Sequence, residues 1–397
     1  MAGPLVGIRV LDLGRFLAGP FIGTLLADLG AEVIRVEKSE GAEDRLFGYP
    51  APCGDAFIYC NVNRNKKGIS LNFEKNEQAR KILYELVKHS DIVSHNFAPR
   101  AANAIGIAYD DIRAVKPDII YAQISAFGLT GPYSNRIGFD PVIKAMSGIM
   151  SITGPPGPPG RELITSVDFG AAMLATVGVL AALYHRNKTG EGQMIDAALL
   201  QTAVTYVANT ISAWETSGAR QPKTANRAAF VGPSDLYKAK DGKYVFLAIL
   251  TNPIWKRFCH FIDREDLATD PRFHNDIDRW NQRNIIDPVV AEWVASMNAE
   301  EVVAASEKIP IPCGICLDQS EVAIDPQVKA LEMMTALPAP DGTGNVLVAG
   351  IPLRMSATPL KIERSFPDVG QDNEDIYCSL LGYSREDLDR FREEGIL

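Results

Sequence analysis

Six cysteines, Cys53, Cys60, Cys259, Cys313, Cys316 and Cys378, are scattered over 397 residues. They are too few and too widely spaced for a disulfide scaffold in a chain of this length, and a reducing cytoplasm is the expected compartment. The five histidines, His89, His95, His185, His260 and His274, fall into no metal-ligand spacing, so no metal site is expected. Basic residues are not in excess: 40 Lys and Arg stand against 49 Asp and Glu, a formal charge of -9. That balance argues against a nucleic-acid or anionic-membrane partner, while leaving room for a local basic pocket. The start, MAGPLVGIRVLDLG, carries no basic segment followed by a signal-like apolar run. The nearest approach to a membrane span is the almost uncharged stretch 169–184, about 16 residues where spanning needs roughly 20. Gly170 and Gly178 interrupt it, and a buried helix is expected. Neither a P-loop nor a G-x-S-x-G elbow occurs.

What is present, over the first 160 residues, is an alternation of short apolar runs and helical patterns. GIRVLDL (7–13) reads as a strand buried on both faces, because its apolar residues run on rather than alternate. PFIGTLLADLG (20–30) opens on a proline suited to a first turn and stops at Gly30. AEVIRVE (31–37) is the next strand, and SLNF (70–73) a short one. In 76–91, Asn76 is a helix cap ahead of Ala79, Ile82, Leu83, Leu86 and Val87 at helical spacing. DIVSHNF (91–97) and PDIIYAQIS (117–125) are further strands, with helical turns between them. This order predicts an α/β fold with a parallel sheet and right-handed crossovers.

Residues 138–150 read as a helix, GPPGPPG (154–160) as a rigid loop, and 169–185 and 193–212 as two long helices. A polar, Gly/Pro-containing stretch near 215–230 marks a boundary. The expected division is a large domain over 1–224, a small domain over 225–325, and a segment 326–397 that returns to the large one. In the small domain, 242–249 reads as a strand and 252–262 and 276–297 as helices; beyond it, 345–352 reads as a strand. In the tail, Ser384 ahead of Asp387 is a capping-box-like start.

Several residues invite a functional reading. Asp168 stands before the long apolar helix, where a carboxylate serves as an N-cap or, held ionised by the helix dipole, as a nucleophile. Glycine at 170 would let a ligand approach closely. Gly14, Gly19 and Gly23 follow the first strand without the G-x-G-x-x-G spacing, so they serve either close packing or a ligand other than a classical dinucleotide. Arg35 and Lys38, then Arg64, Lys66 and Lys67, lie near two successive strands, as a phosphate site or as solvated charge. Cys313 and Cys316 have two-residue spacing, but Pro310 and Pro312 keep the entry extended where a redox helix would start, so the pair reads as structural or incidental.

Taken together, the stretches GIRVLDLGRFLAGPFIGTLLADLGAEVIRVEK, NRNKKGISLN, DIVSHNFAP, ISAFGLTGPY, GFDPVIKAMSGIMSITG, DFGAAMLATVGVLAALYHRNKTGEGQMIDAAL, DPQV and LGYSREDLDRFREEGIL resemble, in order, the class III CoA-transferases, a family that includes the α-methylacyl-CoA racemases. The resemblance covers essentially the whole chain. It implies a Rossmann-like α/β large domain whose parallel sheet is built from both chain ends, a smaller α/β domain, and two subunits interlocked as a dimer. It implies acyl-CoA and a free carboxylic acid as substrates, no permanently bound cofactor, and a homodimer, with a heteromer of related subunits as the alternative. Asp168 matches the aspartate that attacks the donor thioester. The racemases carry histidine in a GHD motif that here reads GFD, with Phe139, so two-base proton transfer lacks a partner and the transferase reading is favoured.

The resemblance also assigns CoA contacts to Arg15, Lys38, Leu71, Lys75, Asn96, Phe97 and Arg136. The chain departs from the usual NFRPG pattern, having Ala98 and Ala104 where arginines are common and Arg100 where glycine is usual; Arg100 is the candidate replacement. Leu17 stands where an oxalate-type member has glutamine, which suits a larger or partly apolar acid, such as an aromatic succinate or a C4–C5 diacid. The implied chemistry runs through an aspartyl mixed anhydride and an aspartyl-CoA thioester and needs no ATP. A racemase or isomerase, or a non-catalytic subunit, are the rival readings.

Overall fold

The computed structural model describes residues 3–397. It divides into two compact units: one takes in the chain up to Ser147, Leu163–Val207 and Pro326–Leu397, the other Gly148–Glu162 and Ala208–Asp325.

In the first unit the chain runs β1 (Arg9–Asp12), α1 (Ala18–Asp28), β2 (Glu32–Glu37), a 3-10 turn at Glu43–Leu46, α2 (Phe57–Val62), β3 (Lys66–Ser70), α3 (Glu77–Lys88), β4 (Ile92–His95), α4 (Pro99–Ile105), α5 (Tyr109–Val115) and β5 (Ile120–Ser125). It continues through α6 (Asp140–Met146), the short α7 (Ile149–Ile152) of the second unit, α8 (Ser166–Thr189), β6 (Met194–Ala198) and α9 (Leu199–Ser217), which belongs to the second unit from Ala208 onward. The six strands form one sheet in the order β3-β2-β1-β4-β5-β6, every pair parallel. This is the Rossmann order, whose direction reverses between β1 and β4. Strand pleating sends Leu11, Val93 and Tyr121 into one core. Val10, Ile92 and Ile120, also fully buried, face the other side. Asn76 caps α3 as expected, accepting from the Gln78 and Ala79 amides, and the spaced apolar residues of α3 fill the first core.

α1 and α8 pack on each other and on the sheet. By length and composition alone α8 could cross a membrane. Here its Val167, Ala171, Ala175, Val179 and Ala182 are buried in the fold, in line with the expected core helix. Gly178 lets it come close to β6: an added Cβ would lie 2.8 Å from Ile195 Cγ2.

The structure corrects four expectations. The third strand is Lys66–Ser70, not 70–73, because Val33–Glu37 pair with it in register; lysines at its head disguise it as a loop. The expected helix 193–212 begins with strand β6, paired to Tyr121–Ser125, and turns helical only at Leu199. Residues 138–150 are two helices, broken at Gly148 with φ 95°. Finally, the large sheet is not built from both chain ends: all its strands precede residue 199. The C-terminal segment instead fills the core with Ile376, Tyr377, Leu388, Phe391, Ile396 and Leu397, and Ser384 and Asp387 form the capping box foreseen there.

The second unit carries β7 (Ser234–Lys238), β8 (Tyr244–Ala248) and β9 (Cys313–Ile315) as an antiparallel sheet, with helices packed around Val245, Leu247, Trp255, Phe258 and Val290. Cys313 lies in β9 and Cys316 just beyond it, both free thiols. Back in the first unit, the antiparallel hairpin β10 (Met334–Pro338) and β11 (Asn345–Ala349) packs on α2 through Val346, Val348, Tyr59 and Cys60.

Candidate active site

In an open parallel sheet the crevice at the carboxyl ends of the strands, where the order reverses, is the expected ligand site. Here it lies between the loops that follow β1 and β4. Asn96 clasps them together: its Oδ1 accepts from the Arg15 amide and its Nδ2 donates to the Arg15 carbonyl, each at 2.8 Å. The glycines of the first loop and α1 serve this close packing. A Cβ at Gly19 would sit 2.5 Å from Asn96 Oδ1, one at Gly14 2.6 Å from the Gly19 carbonyl carbon, and one at Gly23 2.8 Å from Asp12 Oδ2. The residue of this loop that does adopt a left-handed conformation is Phe16, with φ 61°. Its ring meets Phe47 and Phe139 edge-on, at 5.8 and 5.7 Å between centroids.

The next residue pair of the β4 loop is also fixed from behind. Buried His95, which burial pushes down to about 3, is neutral. Its Nδ1 accepts from the Phe97 amide at 3.1 Å, and its Nε2 faces Tyr121 Oη at 2.5 Å, which in turn donates to the Ile107 carbonyl.

Asp168 enters the crevice from α8. It is the third residue of that helix, so it is not the N-cap; Thr165 holds that position without a side-chain bond. Capping falls to Asp140, the buried first residue of α6, whose Oδ2 accepts from the Val167 amide at 3.0 Å. Asp140 Oδ1 pairs at 3.0 Å with Lys144 Nζ, which also donates to the Ile164 carbonyl. The pair therefore grips the chain on the N-terminal side of Asp168. The Asp168 carboxyl is pushed up to about 7, first by burial and then by the Asp140 charge, against a smaller pull from Lys144. Near neutrality its two protonation states are comparably populated, unlike the dipole-held carboxylate expected from sequence. Gly170 does not admit a ligand either: a Cβ there would collide with Tyr206 Oη of α9.

Asp168, Arg15, Asn96, Phe97, Arg136 and Leu17 line one cavity of about 250 Å³. The Arg15 guanidinium lies 4.9 Å from the Phe97 ring centroid. Arg136 stacks on Tyr133 at 3.9 Å, and among the described residues no carboxylate pairs with it. Its charge is therefore available to an anion in the crevice. Lys38, Leu71 and Lys75 gather instead around a second cavity of about 330 Å³. Arg100 is exposed in the first turn of α4 and lines neither cavity, although its neighbours Ala98 and Pro99 line the first.

Most of the other charges suspected of holding phosphate are spent on the fold. Arg35 pairs with Asp44 at 2.8 Å and Glu37 at 3.2 Å, Arg64 with Asp28 at 2.5 Å, and Lys66 with Asp12 at 2.8 Å, all nearly or fully buried. Burial pushes Lys66 down to about 8. Against its own burial, Glu37 is held down to about 2 by Arg35 and Arg45. Lys67 reaches Glu32 and Asp375. The residues that sequence reasoning missed are Asp140 and Lys144, whose i,i+4 spacing was the available signal, and Phe16, whose left-handed backbone leaves no mark in the sequence.

Asp168, Arg15 and Arg136 thus line one cavity at the switch point of a Rossmann sheet. The sequence model of CoA-transferase family III matches residues 5–373. The chain belongs to that family. The transferase is 32% identical over 396 residues to succinyl-CoA–D-citramalate CoA-transferase of Chloroflexus aurantiacus, covering 99% of this chain and 98% of the relative. It is 33% identical over 387 residues to succinate–glutarate CoA-transferase of Agrobacterium fabrum, covering 95% and 96%. The crystal structure of a CAIB/BAIF family protein from Brucella suis superposes with a TM-score of 0.83 at 30% identity, over 96% of this chain and all of that one. The resemblance read from the sequence is thus borne out, and CoA transfer is the activity of this transferase.

Proposed function

We propose that the enzyme moves CoA from an acyl-CoA donor to a free carboxylic acid of medium size through covalent intermediates on Asp168. A carboxylate oxygen of Asp168 attacks the thioester carbonyl carbon, the C–S bond breaks, and CoA leaves as thiolate, giving a mixed anhydride. The thiolate attacks the aspartyl carbonyl and releases the donor acid, leaving an aspartyl-CoA thioester. The acceptor carboxylate attacks that carbonyl, thiolate departs again, and its attack on the acceptor acyl carbon yields the new acyl-CoA and free Asp168. Thioester and anhydride are close in group-transfer energy, so no ATP enters. A carboxylate is a weak nucleophile in water, and the crevice compensates by orientation and removal of solvent.

The observation that carries this reading is that Asp168 shares its cavity with Arg15, Asn96, Phe97 and Arg136, the residues matched to CoA contacts. The nucleotide end then falls to the cavity of Lys38, Leu71 and Lys75. Two relatives are named for citramalate, succinate and glutarate, which favours a C4–C5 dicarboxylic acid. Leu17 and the Phe16–Phe139 edge add an apolar wall that suits a branched or aryl-substituted succinate. Phe139 carries no exchangeable proton, which disfavours the racemase alternative. The outer face of α8, with Met173, Leu174, Val177, Leu180 and Tyr184 exposed, favours a second copy of the chain, as in an interlocked homodimer. Six free thiols agree with a cytoplasmic setting.

The test is a donor and acceptor screen with hydroxylamine trapping. Wild-type enzyme incubated with acyl-CoA should yield a hydroxamate on the Asp168 peptide, and Asp168→Ala should abolish both exchange and trapping. Full-rate exchange by Asp168→Ala would overturn the reading, and solvent deuterium entering the α-carbon of an acyl-CoA would point to racemisation.

A further inference from the structure

A small pocket of about 10 Å³ shares Arg15 and Phe97 with the Asp168 cavity and Lys38 and Glu74 with the Lys38 cavity. A ligand spanning both cavities would run past these shared residues. Four charges are paired beside it. Arg15 pairs with Glu74 and, at 3.5 Å, with Glu43, while Lys38 pairs with the same Glu43. Two of the cations matched to CoA contacts, Arg15 and Lys38, are thus already occupied by the protein's own carboxylates. None of the four is locked in place: the side chains of Arg15, Lys38 and Glu74 are about one quarter exposed and that of Glu43 about one half. By contrast, the Arg35–Asp44 pair a few residues away is wholly buried.

We infer that Glu43 and Glu74 are built-in stand-ins for the phosphates of the incoming ligand, holding Arg15 and Lys38 until a phosphorylated carrier displaces them. A carboxylate and a phosphate offer a guanidinium or ammonium the same kind of charged acceptor, so the exchange keeps Arg15 and Lys38 satisfied in both states. Glu43 lies on the 3-10 turn Glu43–Leu46 and Glu74 on the loop before α3, so both can swing without disturbing the sheet. The exchange makes phosphate the key to Arg15 and Lys38: a carrier arm without phosphates gains nothing from displacing either carboxylate. The inference rests on the proposal that CoA spans both cavities.

Calorimetric binding to the full-length protein tests it. Glu74→Gln and Glu43→Gln should each tighten CoA by about two- to fivefold, the range set by partly exposed ion pairs, and leave binding of pantetheine, which has no phosphates, unchanged. Asp375→Asn, whose carboxylate pairs with Lys67, is the charge control and should change neither. Unchanged or weaker CoA binding in both Gln variants overturns the inference, as does equal tightening of pantetheine, which would mean a steric plug. Wild-type protein that binds no CoA would overturn the proposed function as well; CoA binding that ignores both substitutions removes the stand-ins alone.

Discussion

Replacing Asp140 by Asn should change the ionisation of Asp168 without releasing the helix that carries it. The carboxamide oxygen can still accept the Val167 amide that Asp140 Oδ2 meets at 3.0 Å. What disappears is a negative charge, the second cause after burial of the rise of Asp168 to about 7, while Lys144 still pulls the other way. Removing a close charge moves a carboxyl by about one to two pH units, or about 1.4–2.7 kcal/mol. The direction follows from the sign: less repulsion favours the carboxylate, so the midpoint falls. At pH 6 a group with a midpoint of about 7 is roughly one-tenth ionised, and one at about 5.5 roughly three-quarters ionised. The rate at pH 6, relative to its own plateau, should therefore rise roughly eightfold. The assay is the pH dependence of kcat/KM for thiol release from an acyl donor, which reports the free enzyme. Because the Asp140–Lys144 pair is buried, the substitution also costs stability, at most about 3–5 kcal/mol, read by denaturant unfolding. The double variant Asp140→Asn, Lys144→Met removes both charges and should bring the midpoint back toward the value set by burial. An Asp140→Asn profile whose midpoint stays at the wild-type pH would refute the electrostatic argument.

Two further outcomes are expected. Phe16→Ala should lower the preference for branched or aryl-substituted acids over linear ones by about one order of magnitude, the scale of one to two kcal/mol of lost apolar contact; competition between acceptor acids measures it. Gly19→Ala puts a Cβ 2.5 Å from Asn96 Oδ1 and 2.8 Å from the Gly14 backbone. It should cost about 1–3 kcal/mol of stability and raise KM for the CoA donor, because the clasp between the two loops opens.

Local rules carried α3, with its Asn76 cap and buried stripe, and the Ser384 capping box, because both depend only on near neighbours. They failed where a distant partner decides the outcome. Lys66 can begin a strand only because Asp12, 54 residues away, neutralises it in the core. The same blindness made Arg35, Lys66 and Arg64 look like a phosphate site, since sequence displays charge but not burial. At the crevice, Asp168, Asn96 and Arg15 were legible through resemblance to a family. The state of Asp168 was not, because it depends on Asp140 and Lys144, where only the neighbouring Phe139 had drawn notice.

The arrangement of the first core bears on how the chain is made. Every strand of the large sheet has been synthesised by residue 198, yet the face shared with α3 is finished by residues near 376–397. At about 5–20 residues per second, a ribosome needs roughly 10–40 seconds to span that interval. Throughout it the nascent sheet holds out an unfinished greasy surface while the second unit emerges. Chaperone demand during translation, more than the resilience of the completed enzyme, is where this topology exacts its toll.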